Sequence, residues 1–289
     1  MYLELWGDYM SSSGKNNIPK KSVDEIIAYW DRRIRKSKDS LESVLWEDLP
    51  IWNRYVDEIQ RYYLKRVFSM IKPSDVVLDV GCGIGRFTFR LSKICKEVVG
   101  IDSSSEAIKI CKKKAEDYCF SNTKFEVMDV RRLNFDDETF DWVLSVTTLQ
   151  HITNERDLIT ALREILRVAK KEGKIVLLEC TSDKRKDQFV ISLPRKKWFE
   201  MIENLGGKIE YWHGLDIPSL RRIIFHGLAL TKRIRTQKLR KLIEYGLIYS
   251  LKPLEYTIPK ISKNQSLYTV IVVRKNNGSE RTGKEQLLY

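Results

Sequence analysis

Three carboxylates and a glycine-rich turn are spaced so that together they could bind a nucleoside. Asp79 lies two residues before the turn at residues 81–85. Asp102 lies about 20 residues beyond the turn, where an acidic side chain can accept hydrogen bonds from both hydroxyls of a ribose. Asp129 ends a later apolar run, and a carboxylate there suits the exocyclic amine of an adenine. Because all three lie at the ends of short apolar runs, we expect them at one edge of a sheet.

The turn has the pattern Gly-x-Gly-x-Gly. Glycine has no Cβ, so the backbone can turn tightly there and approach a ligand closely. The spacing differs by one residue from the Gly-x-Gly-x-x-Gly fingerprint of dinucleotide-binding proteins, which argues against a nicotinamide cofactor. A helix is expected at residues 86–94, with the free N–H groups of its first turn facing whatever the turn holds.

An alternation of strands and helices is predicted to position these residues. Short apolar runs predict strands at residues 76–80, 97–101, 124–128, 140–147, 173–179, 208–213 and 266–274. Helical patterns are found at residues 51–71, 104–118, 154–170 and 194–204, and a further helix begins after Ser22. This order predicts an α/β fold with a doubly wound, Rossmann-like sheet, in which ligands bind at the carboxyl ends of the strands.

Composition limits the class of protein. The 289 residues are 43% hydrophobic and contain no apolar run long enough to cross a membrane. The N-terminus lacks the basic-then-apolar order of a secretory signal, and the five cysteines form no Cys-x-x-Cys pair. We therefore expect a cytoplasmic protein with reduced thiols and no metal site, at most attached peripherally to a membrane surface. The formal charge of +13 indicates either an anionic partner or a lysine-rich surface without a binding role.

Several motifs occur in the order and spacing of a known family. They are residues 77–85 (VLDVGCGIG), 98–104 (VVGIDSS), 140–146 (FDWVLSV), 149–152 (LQHI) and 173–179 (GKIVLLE). Together they resemble the motifs of class I S-adenosylmethionine-dependent methyltransferases, in the branch that acts on small molecules. The resemblance covers roughly residues 52–212 and 266–274. It implies a seven-stranded sheet of order 3-2-1-4-5-7-6 with strand seven antiparallel, and S-adenosylmethionine as the cofactor.

The resemblance also implies which residues hold the cofactor. For the methionine portion they are Asp79, Gly81, Cys82, Gly83 and Gly85; for the ribose and adenine, Asp102, Ser103, Asp129 and Val130; and for the methionine amine, Ser145 and Val146. Since the sulfonium already makes the methyl group electrophilic, the protein mainly has to align an in-line attack and manage a proton.

Two side chains are candidates for the base that accepts this proton. His151 follows the fourth strand and Glu179 ends the fifth, so both are expected near the mouth of the pocket. Ordinary local packing is the alternative for each. Replacing either residue by alanine is expected to lower turnover while leaving cofactor affinity near normal.

Pattern and composition divide the chain into four parts. Residues 1–50 are an N-terminal helical lid, 51–213 and 266–274 the core, 214–265 a basic helical insertion, and 275–289 a tail. The lid would close its aromatic rings over the cofactor and acceptor. Candidate residues on the acceptor side are Tyr29, Trp30, Trp52 and His213, and core packing is the alternative for the aromatic rings.

The insertion carries 11 Lys or Arg residues against 3 Asp or Glu residues, a net charge of +8. Pro218 lies near the start of one predicted helix, and residues 231–246 form another. Three interpretations of the basic stretch at residues 221–241 stay open. It packs its apolar face on the domain, it binds phosphate in RNA or in a lipid- or nucleotide-linked sugar, or it rests on an anionic membrane.

Two missing motifs narrow the acceptor. No Asn/Asp-Pro-Pro-Tyr/Phe tetrapeptide follows strand four, and no Pro-Cys pair is present, which disfavours methylation of nucleobase amines and of pyrimidine carbon 5. We therefore predict methyl transfer to an oxygen or nitrogen atom of a small or carrier-linked acceptor, such as a sugar or lipid headgroup. A tRNA or rRNA methyltransferase that uses the insertion is the alternative, and a non-catalytic cofactor-binding module is the third hypothesis.

Overall fold

The structure is a computed structural model that describes residues 20–45, 50–183, 188–191, 193–261 and 266–276. The first 19 residues of the predicted lid segment and residues 277–289 of the predicted tail lie outside these ranges. Among the helices within them, none combines the length and the apolar character needed to cross a membrane.

A seven-stranded sheet lies at the centre of the fold. Its strands are β1 (Val76–Val80), β2 (Glu97–Asp102), β3 (Thr123–Val127), β4 (Phe140–Val146), β5 (Ala169–Cys180), β6 (Gly207–Leu215) and β7 (Tyr268–Lys275). Their order is β3-β2-β1-β4-β5-β7-β6. β7 is antiparallel to both β5 and β6, while the other neighbouring strands are parallel. The predicted fold class, strand order and antiparallel last strand are confirmed.

Helices flank both faces of the sheet. The described residues contain α1 (Val23–Ser37), α2 (Pro50–Phe68), α3 (Thr88–Leu91), α4 (Ser105–Asp117), α5 (Glu155–Val168), α6 (Arg195–Asn204), α7 (Pro218–Thr231) and α8 (Gln237–Ile261). α1 begins with a capping box, as its sequence predicts. The Ser22 hydroxyl accepts from the Glu25 N–H, and the Glu25 carboxylate accepts from the Ser22 N–H.

Apolar side chains cover both faces of the sheet, as expected for parallel strands that are buried on both sides. On one face, Trp52 of α2, Ile224 of α7 and Ile248 of α8 pack against β1, β4 and β7. On the other face, Leu162 of α5 and Trp198 of α6 pack against β1, β4 and β5. Each fully buried large apolar side chain contributes about 1.5–3 kcal/mol relative to exposure. These two layers therefore hold the central strands, and with them the edge that carries the aspartates, in a fixed position.

The helix after the glycine turn is shorter than predicted. The pattern predicts a helix at residues 86–94, but α3 spans only Thr88–Leu91. Beyond it the chain forms tight turns, in which the Ile94 N–H donates to the Leu91 carbonyl. Runs of such i to i+3 hydrogen bonds rarely exceed three or four residues. Because four residues align few peptide dipoles, a ligand here would be held by the glycine turn itself more than by a helix N-terminus.

The insertion folds as a hairpin of two helices whose boundaries differ from the prediction. The pattern predicts a second helix at residues 231–246, but α7 ends at Thr231 and α8 begins at Gln237. The two helices approach closely at Gly227, where a Cβ would lie 2.2 Å from Cδ2 of Leu247. α8 also continues without a break through Gly246. Glycine has a low helix propensity, but the packing of α8 against α7 outweighs the effect of a single residue.

Candidate active site

A cleft opens at the carboxyl ends of β1, β2 and β4, and α1 covers it. It encloses about 1120 Å³, counting the part that is open to solvent. Predicted site residues that line it are Trp30, Asp79, Gly81, Cys82, Gly83, Asp102, Ser103, Asp129, Val130, Val146 and His151. The fold therefore brings the three aspartates and the glycine turn together at one edge of the sheet. The individual roles of these residues stay predictions.

The backbone of the turn adopts conformations that only glycine takes easily. Gly81, Gly83 and Gly85 have φ values of 66°, 54° and 79°, in the left-handed region where a Cβ is disfavoured. A Cβ on Gly81 would also lie 2.1 Å from Cγ2 of Thr148. The Thr148 hydroxyl donates to the Gly81 carbonyl at 3.3 Å. The loop after β4 therefore fixes one side of the turn.

Asp102 is held by the turn that it faces. Its Oδ2 accepts from the Gly83 N–H at 2.8 Å, and its Oδ1 accepts from the Ser104 N–H at 2.8 Å. Burial raises the pKa of Asp102, although these two hydrogen bonds act in the opposite direction. Each carboxylate oxygen has a second lone pair, so Asp102 can still accept hydrogen bonds from two ribose hydroxyls.

Asp79 is almost fully buried, with 2% of its surface exposed. The Thr88 hydroxyl donates to its Oδ2 at 2.5 Å. Burial raises the pKa of Asp79 to about 7, against the opposing effects of Thr88 and the nearby Arg86 guanidinium. An ammonium group beside this carboxyl would favour its charged form, because an opposite charge lowers the pKa of an acid. The site therefore suits the amine of a methionine-like group.

Asp129 lies in a different electrostatic environment, because Arg131 binds its carboxylate. Nε and Nη2 of Arg131 donate to Asp129 Oδ2 at 3.0 and 2.6 Å, and Nη1 donates to Asp157 at 2.8 Å. Partial burial acts to raise the pKa of Asp129, but the hydrogen bonds from Arg131 outweigh it and place that pKa below its ordinary value. Asp129 is therefore an ionised acceptor at neutral pH, oriented beside the cleft by an arginine.

His151 lines the cleft in the 3-10 turn that follows β4. Its Nδ1 lies 2.8 Å from the Phe189 carbonyl oxygen. Because a carbonyl can only accept, Nδ1 carries the proton of the neutral ring and Nε2 carries the lone pair. Nε2 lies 3.4 Å from the side-chain amide nitrogen of Gln150, and the Trp30 ring meets the imidazole edge-on at 5.1 Å. The Gln150 amide donates to Nε2 in this tautomer, because its oxygen accepts from the Cys180 N–H at 3.0 Å. Nε2 could accept a proton from a bound ligand in place of this long contact.

Glu179 does not face the cleft, so the prediction that it lies at the pocket mouth is wrong. The side chain is fully buried and lies beneath the loop after β4. Its Oε1 accepts from the Ser145 hydroxyl at 2.8 Å, and its Oε2 accepts from the Gln150 N–H at 3.1 Å. Burial raises the pKa of Glu179 to about 7, although these hydrogen bonds act to lower it. Glu179 therefore supports the backbone that carries His151 and has no route to a ligand in the cleft.

Two candidate acceptor-side residues also lie outside the cleft lining, contrary to the prediction. Trp52 is 1% exposed and packs edge-on against Phe225 of α7 at 4.9 Å. His213 of β6 lies beside the Tyr63 ring at 4.8 Å. Trp52 packs in the core between α2 and α7, so core packing, the alternative given for aromatic rings, describes it. His213 is half-buried and lies against Tyr63 of α2 and Tyr211 of β6.

Three further predicted residues lie next to the cleft but do not line it. Tyr29 stacks on Phe189 with a ring separation of 4.6 Å and so supports the loop that contacts His151. A Cβ on Gly85 would lie 2.4 Å from the Phe89 ring, so this glycine allows the turn to pack on α3. Ser145 donates its hydroxyl to the buried carboxylate of Glu179.

α1 forms an apolar wall of the cleft. The side chains that it contributes are Val23, Ile26, Ile27, Trp30 and Ile34. Asp31 fastens the helix to the core, since its Oδ1 accepts from the Ser104 hydroxyl at 2.5 Å. Ser104 is also the N-cap of α4 and the residue whose N–H binds Asp102. The position of α1 is thus coupled to the carboxylate that faces the glycine turn.

Two arginines, Arg86 and Arg131, line the cleft but are not among the predicted site residues. Arg131 follows Asp129 by two residues, and that spacing is the signal that could have indicated their hydrogen bonds. Arg86 directly follows the glycine turn, lines the cleft and donates to Asp57 of α2 at 2.9 Å. Burial lowers the pKa of Arg86, while the charge of Asp57 acts to raise it. The partner of Arg86 lies 29 residues away in the sequence, so no local pattern reveals the pair.

Comparison with known proteins agrees with this geometry. Residues 77–173 match the family described as a methyltransferase domain. This range runs from β1 into β5 and contains the glycine turn, the three aspartates and His151. Residues 77–173 form a methyltransferase domain. The resemblance to class I S-adenosylmethionine-dependent methyltransferases seen in the sequence is thereby confirmed, and S-adenosylmethionine is the cofactor that it implies.

Two curated proteins resemble this methyltransferase domain in sequence. An uncharacterized methyltransferase of Bacillus subtilis strain 168, YcgJ, is 29% identical over 121 residues, which are 41% of this chain and 47% of the relative. A demethylmenaquinone methyltransferase of Staphylococcus carnosus strain TM300 is 30% identical over 169 residues, which are 57% of this chain and 63% of the relative. In both cases the matched part of the chain spans less than two thirds of the relative's own length.

A solved structure extends the similarity to most of the chain. The [4+2]-cyclase SpnF superposes with a TM-score of 0.61 and 20% identity, covering 91% of this chain and all of that one. At this identity the likeness concerns the fold alone. One fold supports different reactions, so the reaction of this methyltransferase domain has to be argued from its own residues.

Proposed function

We propose that this chain transfers a methyl group from S-adenosylmethionine to a small or carrier-linked acceptor. The observation that carries the proposal is the convergence of Asp79, Asp102 and Asp129 with the Gly81–Gly83 backbone in one cleft. In this proposal Asp79 binds the methionine amine, Asp102 binds the two ribose hydroxyls and Asp129 binds the adenine amine. The three carboxyls thus match the methionine, ribose and adenine parts of S-adenosylmethionine, which are joined in that order.

In the proposed reaction the protein aligns the reactants and manages a proton. The cofactor supplies a methyl group that is already electrophilic, so rate enhancement comes from holding the acceptor atom in line with it. The apolar wall of α1, with Trp30 opposite His151, would exclude water from this part of the cleft. Trp30 therefore remains a lid residue in the proposal, while Trp52 does not.

The lining of the cleft favours an acceptor with an apolar body and one group that loses a proton. Five apolar side chains of α1 face the cleft, whereas His151 offers an imidazole at one point of the wall. We propose an oxygen or nitrogen atom as the methyl acceptor. A ring carbon is a second candidate acceptor, because relatives are named as a demethylmenaquinone methyltransferase and a ubiquinone/menaquinone biosynthesis C-methyltransferase. In that case removal of a hydroxyl proton by His151 would activate a neighbouring ring carbon.

Binding and transfer can be tested separately. Calorimetric titration of the chain with S-adenosylmethionine and with S-adenosylhomocysteine is expected to show one site for each ligand. Transfer of a labelled methyl group is then measured to a panel of quinols, phenols, amino sugars and unmodified tRNA. Label in a small acceptor supports the proposal. Label in tRNA alone would instead support the RNA-methylating alternative, and absence of binding by either cofactor form would support the non-catalytic hypothesis.

His151 is the base in this proposal, because Glu179 has no access to the cleft. His151→Ala is expected to lower the turnover number roughly 100-fold or more, since general base catalysis typically contributes factors of 10²–10⁴. Cofactor affinity should change little. His226→Ala is the matched control, because this histidine is exposed on α7 and does not line the cleft. Equal turnover of the two variants would remove His151 as the base.

A further inference from the structure

The tip of the α7–α8 hairpin is formed by residues 230–245. It exposes large apolar side chains, whereas comparable side chains elsewhere in the hairpin are buried. Leu230, Leu239, Leu242 and Ile243 are 63%, 49%, 70% and 41% exposed. Further along α8, Ile248 is fully buried in the core. The hairpin therefore packs on the domain at its base only. The interpretation in which the whole basic stretch packs its apolar face on the domain does not hold for the tip.

The exposed side chains at the start of α8 share one face of the helix. Leu239, Leu242 and Ile243 follow the i, i+3, i+4 spacing that places residues side by side on a helix. Lys238 and Arg240 lie one residue to either side of Leu239, so cationic groups border the apolar stripe on both flanks. Long basic side chains of this kind can lay their stems along an apolar surface and keep their charged ends in a polar layer.

The charge of the tip is almost entirely positive. Residues 230–245 contain six Lys or Arg residues and a single acidic residue, Glu244. Glu244 accepts a hydrogen bond from Arg240 at 2.8 Å and a second from the Thr231 hydroxyl at 2.9 Å. Within the described part of the chain, Arg233, Arg235 and Lys238 form no ion pair, so their charges face outward without a protein counterion.

We propose that the hairpin tip binds an anionic membrane surface. The four aliphatic side chains would enter the boundary between headgroups and acyl chains, and the surrounding cations would meet lipid phosphates. RNA fits the tip less well, because its surface does not favour four exposed aliphatic side chains, and the one exposed ring of the tip, Tyr245, is already stacked on Tyr249 at 5.8 Å. No residue of the tip lines the cleft, so the proposal does not depend on the reaction proposed above.

Co-sedimentation with vesicles tests the proposal on the full chain. Vesicles made of equal parts phosphatidylglycerol and phosphatidylcholine are expected to pellet the chain, and vesicles of phosphatidylcholine alone are expected to leave it in solution. The double variant Lys238→Glu/Lys241→Glu should bind the anionic vesicles at least about 20-fold more weakly, since each cation near such a surface contributes roughly a factor of five. Leu239→Ser/Leu242→Ser should weaken binding about tenfold or more through lost apolar burial.

Lys112→Glu/Lys113→Glu is the matched charge control, because both lysines are exposed on α4, away from the hairpin. This variant should bind the anionic vesicles as the unmodified chain does. Three outcomes would overturn the proposal. They are failure of the unmodified chain to pellet with anionic vesicles, an equal loss of binding in the α4 control, and unchanged vesicle binding by the leucine variant. In the last case, displacement of the chain by tRNA would identify the tip as an RNA-binding surface.

Discussion

Asp79, Asp102 and Asp129 carry the same functional group in three different environments. Asp79 is buried without a cation in contact, Asp102 is bound by two backbone N–H groups, and Asp129 is bound by Arg131. The pKa is consequently raised in the first two and lowered in the third. The cleft therefore offers two carboxyls of raised pKa, Asp79 and Asp102, and one carboxylate of lowered pKa, Asp129, in the region that we assign to a single cofactor.

Asp102→Asn is expected to weaken S-adenosylmethionine binding roughly 10- to 100-fold, because hydrogen bonds to a charged group are worth about 1.5–3 kcal/mol. The amide can accept through one atom only, so it cannot bind the Gly83 N–H, the Ser104 N–H and two hydroxyls together. Calorimetric titration measures the change. Asp117→Asn, at the exposed end of α4, is the control. Equal affinity in the two variants would contradict the assigned role.

Asp79→Asn is expected to reduce the pH dependence of stability in the cofactor-free chain. The folded-state pKa of about 7 lies above the ordinary value of about 3.9, so the folded state holds this proton more tightly than the unfolded state. The stability that protonation provides is complete below about pH 4 and is lost as the pH rises to about 7, by up to about 4 kcal/mol. Denaturant unfolding at several pH values compares the two proteins. Parallel pH profiles would disprove the effect.

Residue spacing was sufficient to place the aspartates and insufficient to place Glu179 and Trp52. An aspartate beside a glycine turn at a strand end has only the carboxyl edge of the sheet to occupy. A strand-end glutamate can face either the cleft or the neighbouring loop. Glu179 faces the loop because three backbone N–H groups, those of residues 148–150, need an acceptor there. That need is visible only after the chain has folded.

At the scale of elements, α1 is the feature that turns an open sheet edge into a cleft. Its existence was predictable from the capping box at Ser22 and from the apolar spacing that follows. Its position was not, because it depends on Asp31 and Ser104, which are 73 residues apart. The bounds of α3 and the start of α8 could not be predicted from the local sequence either. Tight turns end α3 early, and contacts with α7 rather than local helix propensity set the start of α8.

Asp31→Ala is expected to speed dissociation of S-adenosylmethionine about 2- to 10-fold, the effect of losing one hydrogen bond worth about 0.5–1.5 kcal/mol. The reason is that α1 then loses its tie to Ser104 and opens the wall of the cleft more often. Stopped-flow displacement of bound cofactor measures the rate. Asp24→Ala removes an exposed carboxylate from the first turn of the same helix. If both variants release the cofactor at the unmodified rate, the hydrogen bond does not hold the wall closed.

At the scale of the whole molecule, the alternation of strands and helices was readable from hydrophobic pattern, whereas the strand order came from the resemblance to a family. Periodicity does not distinguish neighbours in a sheet. The insertion illustrates the difference, because its composition showed a basic helical segment but not that its base would be buried and its tip exposed. Its charge is thereby concentrated on a projection of the molecule that is separate from the cofactor cleft.

The position of β7 has a consequence for how the chain is completed during synthesis. β7 follows β6 along the chain, yet it lies between β5 and β6 and pairs with both. The first five strands can join one another while translation continues, but β6 has no neighbour until residues 268–275 emerge. The nascent chain therefore carries two open strand edges, of the kind that promotes aggregation. Synthesis of residues 268–275 closes both edges at once, so protection of the nascent chain matters most just before these residues emerge.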